Sequence, residues 1–317
     1  MGPGITVIVL KGAYLAEAVY NNIGLRIIGD VDLLVRKVDL LSVEKELLAL
    51  GYKPEECNRV IAQDNYHFSY TLPRNSLCVE IHWELVESSH PFQFGMENLW
   101  SRAQLVTVAN ARTWTLSPID LLLHLCLHTA KHAHNMQLFM LCDIGEVVQR
   151  YEAVLDWQEI GVRAQQWGIT HSVYVILRQA QELLDVAVPA DWLSSLQPES
   201  FDQCYLNLAR SLILDTFEQG DIRQDLNIAR LWGLKGLGSK LAVIFDRLLP
   251  SRERMALYNP VPANSWRIYL YYPVRIQYLL KRYGATLWKL IRADPVTRAA
   301  ADHTNQVTVL LDWLMSK

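Results

Sequence analysis

The chain has 317 residues, of which 51% are hydrophobic and 20% charged, so a sizeable core is expected and wholesale disorder is not. Its formal charge of −3 and isoelectric point near 6.3 argue against general binding to nucleic acids or anionic membranes. Five scattered cysteines without a Cys-x-x-Cys pair indicate reduced thiols in a cytoplasmic protein, rather than a disulfide framework or a zinc knuckle.

The N-terminus has no basic region followed by an apolar stretch and a cleavage site, so no signal peptide is predicted. The sequence has no continuous run of about 18 apolar residues, so no transmembrane segment is predicted either. The chain begins almost directly at a predicted strand, an abrupt start that is compatible with a missing upstream segment.

The first predicted elements are a strand and a helix that are joined by Lys11-Gly12. Residues 5–10 are β-rich and continuously apolar, which predicts a buried strand, and residues 13–20 carry apolar side chains at helical spacing. A strand, a glycine turn and a helix N-terminus form a natural phosphate-binding turn, because the first backbone N–H groups of a helix are unpaired. Lys11 would add a positive charge there.

The next predicted strand begins Gly29-Asp30-Val31-Asp32 and continues with apolar residues. Side chains alternate between the two faces of a strand, so Asp30 and Asp32 are expected on the same face. Neighbouring like charges repel, and a divalent cation such as Mg²⁺ would relieve that repulsion because it prefers hard oxygen ligands. The alternative is a strand end whose carboxylates are simply solvated.

A helix is predicted over 39–50, and a hairpin is predicted over 66–72 and 77–85. The second arm of the hairpin places four polar or thiol side chains on one face, which are Cys78, Glu80, His82 and Glu84. Glu80 is therefore a third candidate carboxylate. His82 on the same face is a candidate proton acceptor or a hydrogen-bonding neighbour of such a site.

Strands over 105–108 and 113–116 are predicted to close this α/β part, and the composition changes at Ser117-Pro118. From there the predicted elements are helices, over 118–133, 137–150, 156–167, 170–185, 201–217, 226–248, 265–283 and 304–315. The sequence thus predicts an α+β fold with a mixed β-sheet and flanking helices in a domain over 1–116. An all-helical domain over 117–317 follows.

The combination of Lys11-Gly12, Asp30-x-Asp32 and Glu80 resembles the nucleotidyltransferase superfamily that includes DNA polymerase β. The stretches LKGAYLAEAVYNNIGLRIIGDVDLLV, VEIHWEL and LSPIDLLLHLCLHTAKH resemble, more closely, a family of uncharacterised bacterial nucleotidyltransferases. The resemblance implies that Asp30 and Asp32 bind two Mg²⁺ ions and that Glu80 completes the catalytic and metal-binding triad. It also implies that the turn at Gly12 holds the triphosphate of an NTP.

Lys11 or Arg26 could neutralise the charge that develops as pyrophosphate leaves, and Gly29 adjoins the nucleotide site. The predicted reaction is transfer of a nucleoside monophosphate from an NTP to an unidentified acceptor, a small molecule or a protein. The helical domain is expected to cover the cleft and to select the acceptor.

Two alternatives stay open at this point. The first is a non-catalytic nucleotide-binding or scaffold protein of the same fold, because Ala13 stands where this superfamily usually places a serine. The second is a metal hydrolase that uses the stripe of His124, His128 and His132, with Asp143 on the following helix. A structural or substrate-side role is the simpler interpretation of these histidines.

Overall fold

The computed structural model describes residues 4–54, 66–74, 77–87, 90–133, 136–214, 248–252, 255–256, 264–279, 281 and 295–316. The chain divides into two compact units, one over Met1–Leu214 with Leu311–Lys317 and one over Asp215–Leu310. The first unit contains the sheet and most of the described helices. The predicted boundary near residue 116 lies inside this unit, and a separate domain beyond it stays a prediction.

Within the described residues, the sheet of the first unit has seven strands in the order β3-β4-β5-β2-β1-β7-β6. The strands are β1 (Val7–Val9), β2 (Asp30–Val35), β3 (Lys53–Pro54), β4 (His67–Leu72), β5 (Leu77–His82), β6 (Gln104–Val108) and β7 (Ala111–Thr115). The sheet is mixed, because β2 pairs with β5 and β1 with β7 in parallel, whereas the other neighbouring pairs are antiparallel.

One face of the sheet packs on helix α2 (Leu40–Ala49). The apolar positions of this face alternate along the strands with the polar positions of the opposite face, as the pleat requires. Its buried core consists of Val35, Val43, Leu47, Tyr70, Val79 and Ile81. Asp30, Asp32, Glu80 and His82 therefore lie on the other face, as the alternation in the sequence predicts.

The helix after β1 starts as α1 (Gly12–Tyr14) and continues as a π-helical segment over Leu15–Val19. The backbone N–H of Tyr20 donates to the carbonyl of Leu15, five residues earlier, which is the pattern of a π-turn. The predicted helix over 13–20 is thus present, although with a wider turn. Local widening of this kind re-aims side chains and often lies next to functional sites.

The remaining helices of the first unit lie beyond the hairpin. They are α3 (Met96–Arg102), α4 (Pro118–Lys131), α5 (Leu138–Tyr151), α6 (Trp157–Trp167), α7 (Thr170–Leu184), α8 (Ala190–Ser195) and α9 (Gln203–Leu214), together with the end of α10 (Pro295–Leu314). The start of α4 agrees with the sequence, since the backbone N–H of Asp120 donates to the Ser117 hydroxyl and Pro118 occupies the first turn.

In the second unit, the described elements are a 3₁₀ helix over Trp266–Leu270, a helix over 271–279 and the first part of α10. The predicted helix over 226–248 lies almost entirely outside the described residues. Among the described residues, no helix combines the length and apolarity needed to cross a membrane.

The predicted fold class is confirmed: a mixed sheet with flanking helices is followed by a helical region. Three short elements were not predicted, and they are α3, α8 and β3. Each is too short for a periodic pattern to stand out from its surroundings.

Candidate active site

The pairing of β2 with β5 brings the candidate carboxylates together. These strands run parallel with Asp32 opposite Glu80 and Asp30 opposite Cys78. His82 follows Glu80 by two residues and therefore shares its face of the sheet. The face that the sequence marks as polar is thus a cluster of acidic and imidazole groups drawn from two adjacent strands.

Asp32 is the most deeply buried carboxylate of this cluster, with a side chain that is 1% exposed. Its Oδ1 atom lies 3.0 Å from the Lys11 Nζ atom and 3.1 Å from the His82 Nε2 atom. Its Oδ2 atom is also buried, and no described residue forms a hydrogen bond with it. Within the described residues, the compensation of the Asp32 charge is therefore concentrated on one of its two oxygens.

Glu80 shares the same imidazole. The Glu80 Oε2 atom lies 3.3 Å from His82 Nε2, and its Oε1 atom lies 3.9 Å from the Nε2 atom of His67. The rings of His67 and His82 stack with centroids 5.0 Å apart. His82 thus lies between the two carboxylates and holds them close to each other.

The electrostatics of Asp32 and His82 are mutually dependent. Burial raises the pKa of Asp32, but the hydrogen bond from His82 and the charge of Lys11 outweigh burial, so that its pKa falls well below the usual range. Burial lowers the pKa of His82, but its bonds to Asp32 and Glu80 outweigh burial and raise the pKa above its ordinary value. The hydrogen bond from His82 likewise lowers the pKa of Glu80. The carboxylates therefore stay ionised in a buried setting.

Asp30 lies at the start of β2 and is half-buried. Its pKa is raised by burial and then by the negative charge of Asp32. In the described part of the chain, the one group of at least three side chains with metal-ligating atoms within 4.8 Å of one another is Asp32, Glu80 and His82. The structure thus brings Asp32 and Glu80 together as predicted and adds His82, while Asp30 stands beside this group.

The predicted phosphate-binding turn is positioned next to these carboxylates. Lys11 immediately precedes α1, and its ammonium group pairs with Asp32. The Lys11 side chain is 13% exposed. Gly12 is buried beside the start of β2, where a methyl group would lie 3.7 Å from the Asp30 carbonyl oxygen, an ordinary contact distance. Gly29 is exposed with open space around it. Contacts with neighbouring atoms therefore do not require a glycine at either position.

Arg26 is engaged elsewhere. Its Nε atom lies 2.8 Å and 3.0 Å from the two carboxylate oxygens of Asp143 on α5, and its guanidinium stacks on Phe139. The hydroxyl of Tyr20 donates to the same carboxylate at 2.9 Å. Asp143 is therefore already compensated. Within the described residues, neither Asp143 nor His124 belongs to a group of three metal-ligating side chains.

Helix α4 supplies the groups that face this cluster. The side chain of His124 is buried, and the charges of Lys11, His82 and Asp32 reach it. Burial, with the positive charge of Lys11, lowers the pKa of His124 to about 3, so the imidazole is neutral at physiological pH. At the other end of the helix, the Lys131 Nζ atom lies 3.2 Å from Glu87 Oε2 and 3.7 Å from the centre of the Tyr66 ring.

The contact of His82 with Asp32 was not anticipated from the sequence. The alternation along β5 indicates that His82 shares a face with Glu80, but only the pairing of β5 with β2 brings it to Asp32. The ion pair of Lys131 with Glu87 depends in the same way on how α4 packs. His82 and Lys131 both lie within stretches that the sequence singles out. Their partners, Asp32 and Glu87, are more than 40 positions away along the chain.

The profile of a family described as uncharacterised nucleotidyltransferases matches residues 2–185. A comparison with curated proteins and one with solved structures give no match. The matched range includes the whole described sheet, the cluster around Asp32 and helices α1 to α7. The chain therefore belongs to this nucleotidyltransferase family.

Proposed function

We propose that the protein is a metal-dependent nucleotidyltransferase that transfers a nucleoside monophosphate from an NTP to an acceptor that is not yet identified. The observation that supports this most directly is the buried Asp32 carboxylate, which lies beside Glu80 and keeps one oxygen without a partner among the described residues. Burying an ionised carboxylate is costly unless a cation or a hydrogen-bond donor compensates it. Lys11 and His82 compensate only Oδ1, so stability alone gives no reason to keep Oδ2 buried without a partner.

The donor set fits a divalent cation. Asp32 and Glu80 would provide oxygen ligands, Asp30 could add a third on the same face, and His82 could contribute its Nε2 atom once the metal displaces the proton that bonds the two carboxylates. A pair of Mg²⁺ ions, bound by Asp30, Asp32 and Glu80, is the assignment that the sequence favours. Such ions stabilise the charge on the attacking and leaving oxygens in phosphoryl-group transfer.

The chain itself would position the nucleotide and balance its charge. Lys11 brings an ammonium group to the edge of the cluster, where it can pair with a phosphate oxygen as readily as with Asp32. In this proposal, the backbone at Gly12 and Gly29 surrounds the triphosphate. Arg26 would strengthen the site indirectly, because its Nε–H donates to both carboxylate oxygens of Asp143 and so fixes the segment that leads into β2.

We further propose that the helices from residue 117 onward cover the cleft and supply the acceptor side. The burial of His124 on α4 within reach of the charges of Asp32 and Lys11 supports this arrangement. Cys126, Cys142 and Cys204 form no disulfide among the described residues, which is consistent with a cytoplasmic location. The acceptor itself stays open between a small molecule and a protein.

One observation favours a second candidate function, a nucleotide-binding protein without catalysis. Lys11 already compensates Asp32 at 3.0 Å, so the cluster holds one internal cation of its own. Ala13 follows Gly12 and offers no hydroxyl to a phosphate. A protein that binds an NTP without turning it over would keep this geometry.

A labelling experiment separates the two functions. The purified protein is incubated with α-labelled NTPs, Mg²⁺ or Mn²⁺ and cell extract, alongside Asp32→Asn and the exposed control Glu46→Gln on α2. The proposal expects transfer of label to an acceptor, a loss of about 100-fold or more in Asp32→Asn, and no change in the control. Equal transfer by Asp32→Asn would contradict the site. A rise in melting temperature with NTP but no transfer would support the non-catalytic function.

A further inference from the structure

His124 is a polar residue whose environment folding does not explain. It lies within α4 and is only 5% exposed, and neither of its ring nitrogens has a hydrogen-bond partner among the described residues. A neutral imidazole carries one N–H donor and one acceptor nitrogen, so both of its hydrogen-bonding functions are unused. Buried polar groups are almost always bonded, and an exception of this kind calls for a specific reason.

A second buried atom without a hydrogen-bond partner belongs to a carboxylate whose charge reaches His124. Asp32 Oδ2 has no hydrogen-bond partner in the described part of the chain, and the charge of Asp32 reaches His124, as do those of Lys11 and His82. The apolar neighbours of His124 on α4, which include Leu121 and Leu125, are fully or almost fully buried in the core. The unused donor of His124 and the unused acceptor of Asp32 are therefore both buried and within electrostatic reach of each other, in the region around Lys11 and His82.

The chemistry of the two atoms restricts what fits this region. Asp32 Oδ2 requires a cation or a donor, whereas an imidazole N–H requires an acceptor. A polyphosphate that carries a divalent cation satisfies both, because the cation binds the carboxylate and a phosphate oxygen accepts from the imidazole. A neutral imidazole adds a donor next to Lys11 without adding another positive charge.

We propose that His124 is a substrate-binding residue, which donates a ring N–H hydrogen bond to an oxygen of a polyphosphate that is bound with its cation at Asp32 and Glu80. This deepens the proposed function, since it assigns a group on the helical side to the same site. The alternative role for His124, a ligand in a separate histidine metal site, lacks support in the described residues, because no group of three ligating side chains includes it.

The test uses inorganic tripolyphosphate with Mn²⁺ as the probe and follows both its affinity and the melting temperature of the full chain. In His124→Leu, removal of two unsatisfied polar atoms should leave the melting temperature of the ligand-free protein unchanged or higher. The dissociation constant for tripolyphosphate should rise about 10-fold to 100-fold. His124→Gln keeps a donor in a similar position and should recover part of the affinity.

His171→Leu is the matched control. The His171 Nδ1 atom lies 3.0 Å from the Trp313 carbonyl oxygen and its ring stacks on that of Trp313, so this histidine has a structural role in the same unit. Its replacement should lower the melting temperature and leave the affinity for tripolyphosphate unchanged. Replacing His124 should therefore weaken tripolyphosphate binding without lowering the melting temperature, whereas replacing His171 should lower the melting temperature without weakening binding.

The inference is overturned if His124→Leu melts several degrees below the wild type, as a structural histidine would, or if it binds tripolyphosphate within about twofold of the wild type. It is also overturned if the wild type does not bind the probe. His124→Phe repeats the test with another apolar ring, and failure of both apolar variants to fold would assign a structural role. Binding that depends on His124 without any NTP turnover would support this inference and refute only the catalytic proposal.

Discussion

Asp32 shows how a functional carboxylate is kept in a protein interior. Its Oδ1 atom is compensated by Lys11 and His82, and these contacts hold its pKa low despite burial. An ion pair in such a place contributes little to stability, because desolvation of the charges offsets most of their attraction. Under the proposed function, the value of the arrangement lies in keeping the second oxygen, Oδ2, buried and without a partner among the described residues.

Lys11 and a metal ion should compete for Asp32, and this competition can be measured without nucleotide. Replacing Lys11 with methionine removes the internal cation, so we expect Mn²⁺ to bind about threefold to tenfold more tightly, or about 1 kcal/mol. Isothermal titration with Mn²⁺ gives the affinity. A merely structural lysine would predict weaker binding or no change.

The control for this prediction is Lys131→Met. Lys131 is a second lysine whose charge interacts with Lys11 and Glu80, but its ammonium group pairs with Glu87. Lys131→Met changes the net charge of the protein but leaves the contact of Lys11 with Asp32 intact. A gain of equal size in both variants would mean that net charge alone determines the affinity, and would contradict the competition.

At the level of single residues, the sequence predicts the side chains of the site better than their partners. The alternation in Asp30-x-Asp32 and around Glu80 indicates which residues share a face, because that pattern is local. The pair of Lys11 with Asp32 and the contact of His82 with Asp32 depend on strand pairing across the sheet. Register between distant strands leaves no local signature in the chain.

Helix α4 is the element that connects the sheet with the helical part of the first unit. Asp120, in the first turn of α4, is fully buried and accepts from Arg102 on α3 at 2.9 Å and 3.0 Å, and from Arg163 on α6 at 2.8 Å. The hydroxyl of Ser117 also donates to it. Two separate segments, α3 and α6, are therefore fixed to the start of the helix that carries His124.

Replacing Asp120 with alanine should destabilise the protein by about 3–5 kcal/mol, because it removes the buried carboxylate that pairs with both Arg102 and Arg163. Urea unfolding followed by circular dichroism measures the change in the free energy of unfolding. Glu159→Ala is the matched control, since Glu159 also pairs with Arg163 but is 49% exposed. We expect the control to cost less than about 1 kcal/mol. Equal losses in the two variants would show that Asp120 is not a buried anchor.

The start of α4 also shows which features of a helix can be predicted from its sequence. Ser117, Pro118 and Asp120 predict the position of the helix N-terminus, and the structure confirms it. The same residues do not predict that Asp120 binds Arg163, which lies 43 positions away. The π-helical segment over Leu15–Val19 is equally absent from the pattern, because π- and α-turns use the same apolar residues.

For the molecule as a whole, the fold class follows from periodicity, whereas the order of the strands does not. Alternating strands, a hairpin and a series of amphipathic helices predict a sheet followed by helices. The order β3-β4-β5-β2-β1-β7-β6 places β2 between strands from different parts of the chain. Only this order brings β2 next to β5 and so assembles the acidic cluster.

Burial of neutral histidines should make the whole protein sensitive to acid. His124, with its pKa lowered to about 3, and His128, whose pKa is also well below normal, stay neutral in the folded protein. In the unfolded chain each takes up a proton near pH 6.5. The unfolded state therefore binds more protons below that pH, so stability is present above about pH 6.5 and is lost as the pH falls toward the folded pKa.

His124→Leu isolates this effect from the other titrating groups. The free energy of unfolding of the wild type should fall relative to that of the variant by about 2 kcal/mol between about pH 7 and about pH 5, at about 1.4 kcal/mol for each pH unit below 6.5. Urea unfolding of both proteins at several pH values in this range measures the difference, in which groups common to both largely cancel. A difference that stays constant with pH would contradict a lowered pKa of His124 in the folded protein, and with it the burial of a neutral imidazole.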